Sequence, residues 1–201
     1  MSARLPSSRV LPVLGAFLCG LVLVFGAIVY LTGRSALPIG PALAGVGGPF
    51  HLKDQNGRPF SDQDMRGRPF LVFFGFTHCP DICPTTLFEI SEVMRKLGKD
   101  ADRTGALFIT VDPERDTPVA LKDYLSSFDP HLRGLTGDPA AVSAALKAYR
   151  VYAKKVPLEG GDYTMDHTAV VYLMDKDGRF VTPFNLQQTP EAAAEQLRRY
   201  F

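Results

Sequence analysis

The sequence predicts an α/β domain with a largely parallel sheet, and three features carry that reading. Residues 69–76 (PFLVFFGF) and 106–111 (ALFITV) are apolar at nearly every position, the pattern of strands covered on both faces. Between them Leu87, Ile90, Met94 and Leu97 recur at helical spacing before a stop at Gly98, so strand, helix and strand form one right-handed crossover unit. Farther on, Thr117-Pro118, Asp138-Pro139 and Thr189-Pro190 each set a capping residue before a proline, which is a helix start signal.

Taken in order, the chain begins outside that pattern. From Val10 to Gly33 no residue is charged, a run of about 24 residues that suffices as a helix to cross a hydrocarbon core of about 30 Å. Arg4 and Arg9 precede it and Arg34 follows, so the positive-inside bias leaves the N-terminus in the cytoplasm and exports the remainder. A cleaved signal peptide is the alternative, with Ala42-Leu43-Ala44 as a small-residue cleavage site. The apolar run is longer than the usual signal core, and that site lies well beyond its end. The expected organisation is a membrane anchor over 1–34, a Gly/Pro/Ala-rich linker over 35–48 and a globular domain over 49–201. Cys19 falls within the span and carries no lipid-attachment pattern.

The domain opens with a hairpin in FHLKDQNGRPF. After the first buried strand, Pro84 suits the first helical position. Helices are then expected from Thr117-Pro118 to about Phe128 and from Asp138-Pro139 to about Tyr149. Residues 168–174 (TAVVYLM) and 179–184 pair through Asp175-Lys176-Asp177-Gly178 as a second hairpin, and Thr189-Pro190 starts the last helix. This order, with two cysteines at the first strand-to-helix corner, is that of a thioredoxin-like domain. At 201 residues, 46% hydrophobic and 21% charged, the chain supports one sizeable core. A formal net charge of +1 provides no basic stripe for nucleic acid, and no internal repeat marks a solenoid or propeller.

Chemistry concentrates at GFTHCPDICP, residues 75–84. Ligands of open α/β sheets bind beyond the C-terminal ends of strands, where a helix N-terminus favours thiolate over thiol. The prolines after Cys79 and Cys83 push both cysteines toward extended backbone, out of the helix and toward one point. Three uses compete. A structural disulfide would close too short a loop to restrain the unfolded chain much. A dithiol exchange centre on this fold usually has two residues between its cysteines, and here there are three. A metal site needs another ligand.

Four histidines are available for that role. His78, beside Cys79 in an extended turn, points away; His51 lies in the first hairpin and His131 in a turn after Asp129-Pro130, both solvated. His167 differs, because it closes the loop VPLEGGDYTMDH and immediately precedes the strand from Thr168, at the junction facing the cysteine corner. Two thiolates and one imidazole suit Cu(I), whereas a structural zinc site would want a fourth protein ligand. Met165 and Met174 flank this strand and have thioether sulfur to offer, but methionines at such positions are more often core or surface filler, and neither is assigned a role. In DPERDTP, Asp112-Pro113 reads as a turn, Asp116 and Thr117 as helix caps, and Arg115 as the partner of a nearby carboxylate.

GFTHCPDICP, TVDPERDTP and MDHTAVVYLMDKDGRF, in that order behind one N-terminal span, resemble the Sco/SenC family of copper-binding assembly factors for cytochrome c oxidase. The resemblance covers about residues 48–201, and Phe76 stands where many members have tyrosine. It implies a thioredoxin-like domain anchored in a membrane, with Cys79, Cys83 and His167 as copper ligands, Cu(I) favoured and Cu(II) left open. The implied task is to help load the dinuclear copper site of oxidase subunit II, with other periplasmic copper carriers or thioredoxin-like reductants as further partners. Only nine residues precede the span, so the expected setting is a bacterial inner membrane with the domain in the periplasm. Copper delivery and reduction of the partner's cysteines both remain open, and the two differ in whether His167 is needed. A peroxidase is weaker, since neither cysteine has the preceding threonine and proline of such sites.

Overall fold

The structure is a computed structural model that describes residues 18–25 and 45–201. It divides into a unit ending at Ala44, in which residues 18–25 are helical, and a compact unit from Gly45 to Phe201. Among the described residues no helix is long and apolar enough to cross a membrane, and most of the expected span lies outside them. The compact unit begins a few residues before the expected boundary at 49: Val46 is buried, and the Gly47 N–H donates to the Ala148 carbonyl at 3.0 Å.

Nine strands and four α-helices follow. The first hairpin pairs β1 (His51–Asp54) with β2 (Pro59–Ser61), and the Asp54 carboxylate closes its turn by accepting the Asn56 and Arg58 N–H groups at 2.9 Å. Next come β3 (Phe70–Gly75), α1 (Ile82–Leu97), β4 (Gly105–Thr110), α2 (Pro118–Leu125), β5 (Leu132–Thr136) and α3 (Pro139–Ala148). The chain ends with β6 (Ala153–Pro157), β7 (Tyr163–His167), β8 (Val171–Met174), β9 (Phe180–Pro183) and α4 (Pro190–Arg198). Seven strands form one sheet in the order β2-β1-β5-β4-β3-β8-β9. Its centre, β3-β4-β5, is parallel; β1 and β8 flank it antiparallel. Every residue of β3 and β4 is buried, as their unbroken apolar sequences require.

The capping signals work as read. Thr117, Asp138 and Thr189 accept the N–H groups of Ala120, Ala141 and Ala192 at 3.2, 2.8 and 3.3 Å, each with proline in the first turn. Three details differ. The first is α1, which starts at Ile82 rather than Pro84, so Cys83 is helical. Leu87, Ile90 and Met94 pull this face into the core, and Pro84 costs little in a first turn whose N–H groups have no intrahelical partner. The second is the strand expected from Thr168, which runs only from Val171 to Met174. The third is the loop before it, which forms a separate two-stranded sheet, β6 with β7, whose last residue is His167.

Candidate metal centre

The β3-to-α1 corner holds both cysteines, which are free thiols. Cys79 sits on the loop, partly exposed, its N–H bonded to the Phe76 carbonyl at 3.2 Å. Cys83, the second residue of α1, is fully buried, and its N–H points at the Cys79 sulfur at 3.5 Å. Its own sulfur fits because Gly75 has no side chain: a Cβ there would stand 2.6 Å from Cys83 Sγ and 2.7 Å from the Phe108 ring. The glycine before Phe76 is thus a space requirement of the buried thiol.

His167 reaches this corner from β7. Its Nε2 lies 3.9 Å from Cys83 Sγ, while Nδ1 lies 3.1 Å from the Thr168 carbonyl. A carbonyl only accepts, so Nδ1 carries a proton, and Nε2 is the ring nitrogen turned toward Cys83 and the one able to ligate when the ring is neutral. Phe76 meets the ring edge-on at 5.8 Å and Phe73 at 6.4 Å, which fixes its plane.

Two sequence expectations about this corner give way. Cys83 is neither extended nor outside the helix, and its thiol is not favoured toward thiolate. Burial pushes it well above the ordinary thiol range, the Phe76 backbone N–H offsets this only partly, and Cys79 and Asp116 add to the rise. The helix N-terminus loses because its field is modest beside the cost of a buried charge. Metal-free, the corner therefore holds Cys83 as a neutral thiol. Among the described residues no three His, Cys, Asp or Glu side chains are already gathered as a metal-holding group. Cys83 and His167 face each other at this corner, and the Cys79 sulfur stands beside the Cys83 N–H.

The other histidines stand apart from the corner. His78 is exposed, with Nδ1 3.0 Å from Thr77 Oγ1, and His51 is exposed on β1. His131 is less free than expected, held between Asp129 at 2.7 Å and Asp102 at 3.1 Å. Met174 is fully buried and Met165 packs against the core, as filler.

DPERDTP contributes more than its sequence suggested. Thr117 caps α2, but Asp116 turns inward and is fully buried. It accepts the Thr110 hydroxyl at 2.6 Å, the Thr77 hydroxyl at 2.6 Å and the Thr77 N–H at 3.1 Å. Burial raises its carboxyl above the usual range despite those donors. One carboxylate thereby ties the cysteine loop to the end of β4. The only signal for this in the sequence is a threonine placed at the end of each adjacent parallel strand, Thr77 and Thr110.

Fold and corner together define a thioredoxin-like domain with a dithiol whose buried cysteine is faced by a histidine from the separate β6–β7 hairpin. The SCO1/SenC family model matches residues 41–201, and the chain belongs to that family. The Danio rerio mitochondrial SCO2 homolog is 43% identical over 156 residues, covering 76% of this chain and 56% of that protein. The structure of Bradyrhizobium japonicum ScoI with copper bound is similar with a TM-score of 0.76 at 66% identity, over 78% of this chain and 99% of that one. BsSco, described through a disulfide switch and as a member of the Sco family of cytochrome c oxidase assembly proteins, is similar with a TM-score of 0.61 at 26% identity, over 75% and 90%.

Proposed function

We propose that this chain is a copper chaperone that takes up Cu(I) through Cys79, Cys83 and His167 and helps to build the dinuclear copper site of cytochrome c oxidase subunit II. Residues 1–34 act as a single-pass inner-membrane anchor, 35–48 as a linker, and the domain works in the periplasm. The observation that carries the reading is the approach of Cys83 Sγ to His167 Nε2 at 3.9 Å with Nδ1 committed to a carbonyl. That arrangement leaves soft sulfur and a free imidazole lone pair aimed at one point, the donor set Cu(I) accepts. Copper bound to the similar Bradyrhizobium japonicum ScoI supports it. Uptake displaces the thiol protons. Release to a partner proceeds by ligand exchange at Cys79, the more accessible sulfur.

A second reading, a thiol-disulfide oxidoreductase that keeps the partner's copper-ligand cysteines reduced, is favoured by that same asymmetry. A partly exposed Cys79 backed by a buried Cys83 suits attack by one sulfur and resolution by the other. His167→Ala separates the two. In the chaperone, it lowers Cu(I) affinity while reaction with a test disulfide barely changes, and cells lose oxidase activity, partly rescued by added copper. Full oxidase activity of that variant at limiting copper would replace the chaperone by the reductase.

A further inference from the structure

His167 sits on a platform that has little to hold it. The β6–β7 sheet has two strands, no fully buried position, and no share in the main sheet. A lone hairpin is marginal in water, so its fastenings decide where His167 stands. At its base the Thr168 N–H bonds the Tyr152 carbonyl at 3.0 Å, and the Tyr152 N–H bonds Thr168 Oγ1 at 3.1 Å. The other fastening comes from the loop after β4.

That fastening is centred on Arg115. Its Nε pairs with the buried carboxylate of Asp112 at 2.5 Å, and Nη1 donates to the Tyr163 carbonyl at 2.9 Å and to Asp162 at 3.3 Å. The guanidinium lies 3.7 Å from the Tyr163 ring centroid, while Lys155, paired with Glu114, lies 4.4 Å from the same ring. The Tyr163 hydroxyl in turn donates to the second oxygen of Asp112 at 2.9 Å. On its inner side Arg115 is 5.9 Å from the Phe76 ring, whose edge meets His167. One guanidinium therefore touches both the start of the strand that bears His167 and the ring that packs against it. Its Nη2 is buried without a hydrogen-bond partner.

We infer that Arg115 is the positioning residue for His167, latching the β6–β7 hairpin to Asp112 and Phe76 and so setting the distance from His167 to the dithiol. The inference rests on His167 being a copper ligand. Arg115 touches neither sulfur nor metal and acts only through the hairpin.

The test is a double-substitution cycle on the full-length chain in detergent, with Cu(I) affinity read by competition against a chromophoric chelator. Arg115→Met is expected to lower affinity about 10- to 100-fold, the usual loss when the support of a metal ligand is removed. In the His167→Ala background the same change is expected to do almost nothing, since the ligand it positions is gone. Equal losses in both backgrounds would overturn the inference. Arg115→Lys covers the chance that Arg115→Met misfolds around an unpaired Asp112: it keeps the charge, loses the fork and planar stack, and should show the same dependence on His167. A metal-free readout stands beside these. Amide exchange should quicken across 153–167 and stay unchanged in β3 and β4; equal hairpin rates in variant and parent would overturn the latch. Undiminished Cu(I) affinity in His167→Ala would instead sink the ligand reading, and the exchange rates alone would then judge the latch.

Discussion

Gly75→Ala probes the corner with a single methyl group. The new Cβ would stand 2.6 Å from Cys83 Sγ and 2.7 Å from Phe108 Cε2, about 1 Å inside ordinary contact for both. Neither neighbour yields without cost, because both are fully buried, Cys83 in the first turn of α1 and Phe108 in the central strand β4. Overpacking of this kind costs about 1–3 kcal/mol, and at about 2–4 °C per kcal/mol for a domain of this size it should be plain in a thermal melt. The sulfur is the smaller obstacle, so it moves by roughly the missing 1 Å. It then leaves its 3.9 Å approach to His167, and Cu(I) affinity should fall at least about tenfold. Denaturant unfolding and chelator competition on the reduced chain in detergent measure both effects. Stability within about 0.5 kcal/mol of the parent, together with unchanged Cu(I) affinity, would refute the claim that Gly75 makes room for the buried thiol.

Three other perturbations test the surroundings. Oxidation of Cys79 and Cys83 to a disulfide should nearly abolish Cu(I) uptake, because the metal and the disulfide need the same sulfurs; equal binding before and after oxidation would place the metal elsewhere. Asp116→Ala leaves the Thr77 N–H and hydroxyl and the Thr110 hydroxyl without their acceptor and should destabilise the domain by about 3 kcal/mol, whereas Asp116→Asn, which keeps one of the two accepting oxygens, should cost less, about 1–2 kcal/mol. His131 is partly desolvated, but Asp129 and Asp102 outweigh that and hold its pKa above the ordinary value of 6.5. Its contribution is then fully present below about pH 6.5 and is lost as pH rises through the raised value in the fold. Urea unfolding of His131→Gln should therefore show a deficit against the parent at pH 6 that vanishes by pH 9, and a deficit independent of pH would contradict the ion-pair account.

Local rules were enough for much of this protein. The buried runs of β3 and β4 are apolar at nearly every position because both faces of a central parallel strand are covered, and that shows in any window of the sequence. The Thr-Pro and Asp-Pro starts of α2, α3 and α4 depend on contacts within four residues and came out where they were read. The motif order suggested the family and singled out Cys79, Cys83 and His167, of which Cys83 and His167 do come face to face.

Long-range packing decided the rest. Cys83 entered the helix against the preference of a residue before proline, because burying that face of α1 outweighs a local dihedral bias. Its thiol was held neutral because desolvation is a property of the whole core and appears nowhere in a five-residue motif. Asp116 looks like a cap in sequence and becomes a buried acceptor only when β3 and β4 bring Thr77 and Thr110 to its two oxygens. Arg115 looked like half of a local ion pair, and its reach to Tyr163 exists only once the β6–β7 hairpin has folded over it. The sequence by itself determined which residues could carry the chemistry, because residue type and short spacing are local. Their distances, protonation and support were set by chain segments far apart in sequence, whose meeting only the tertiary structure decides.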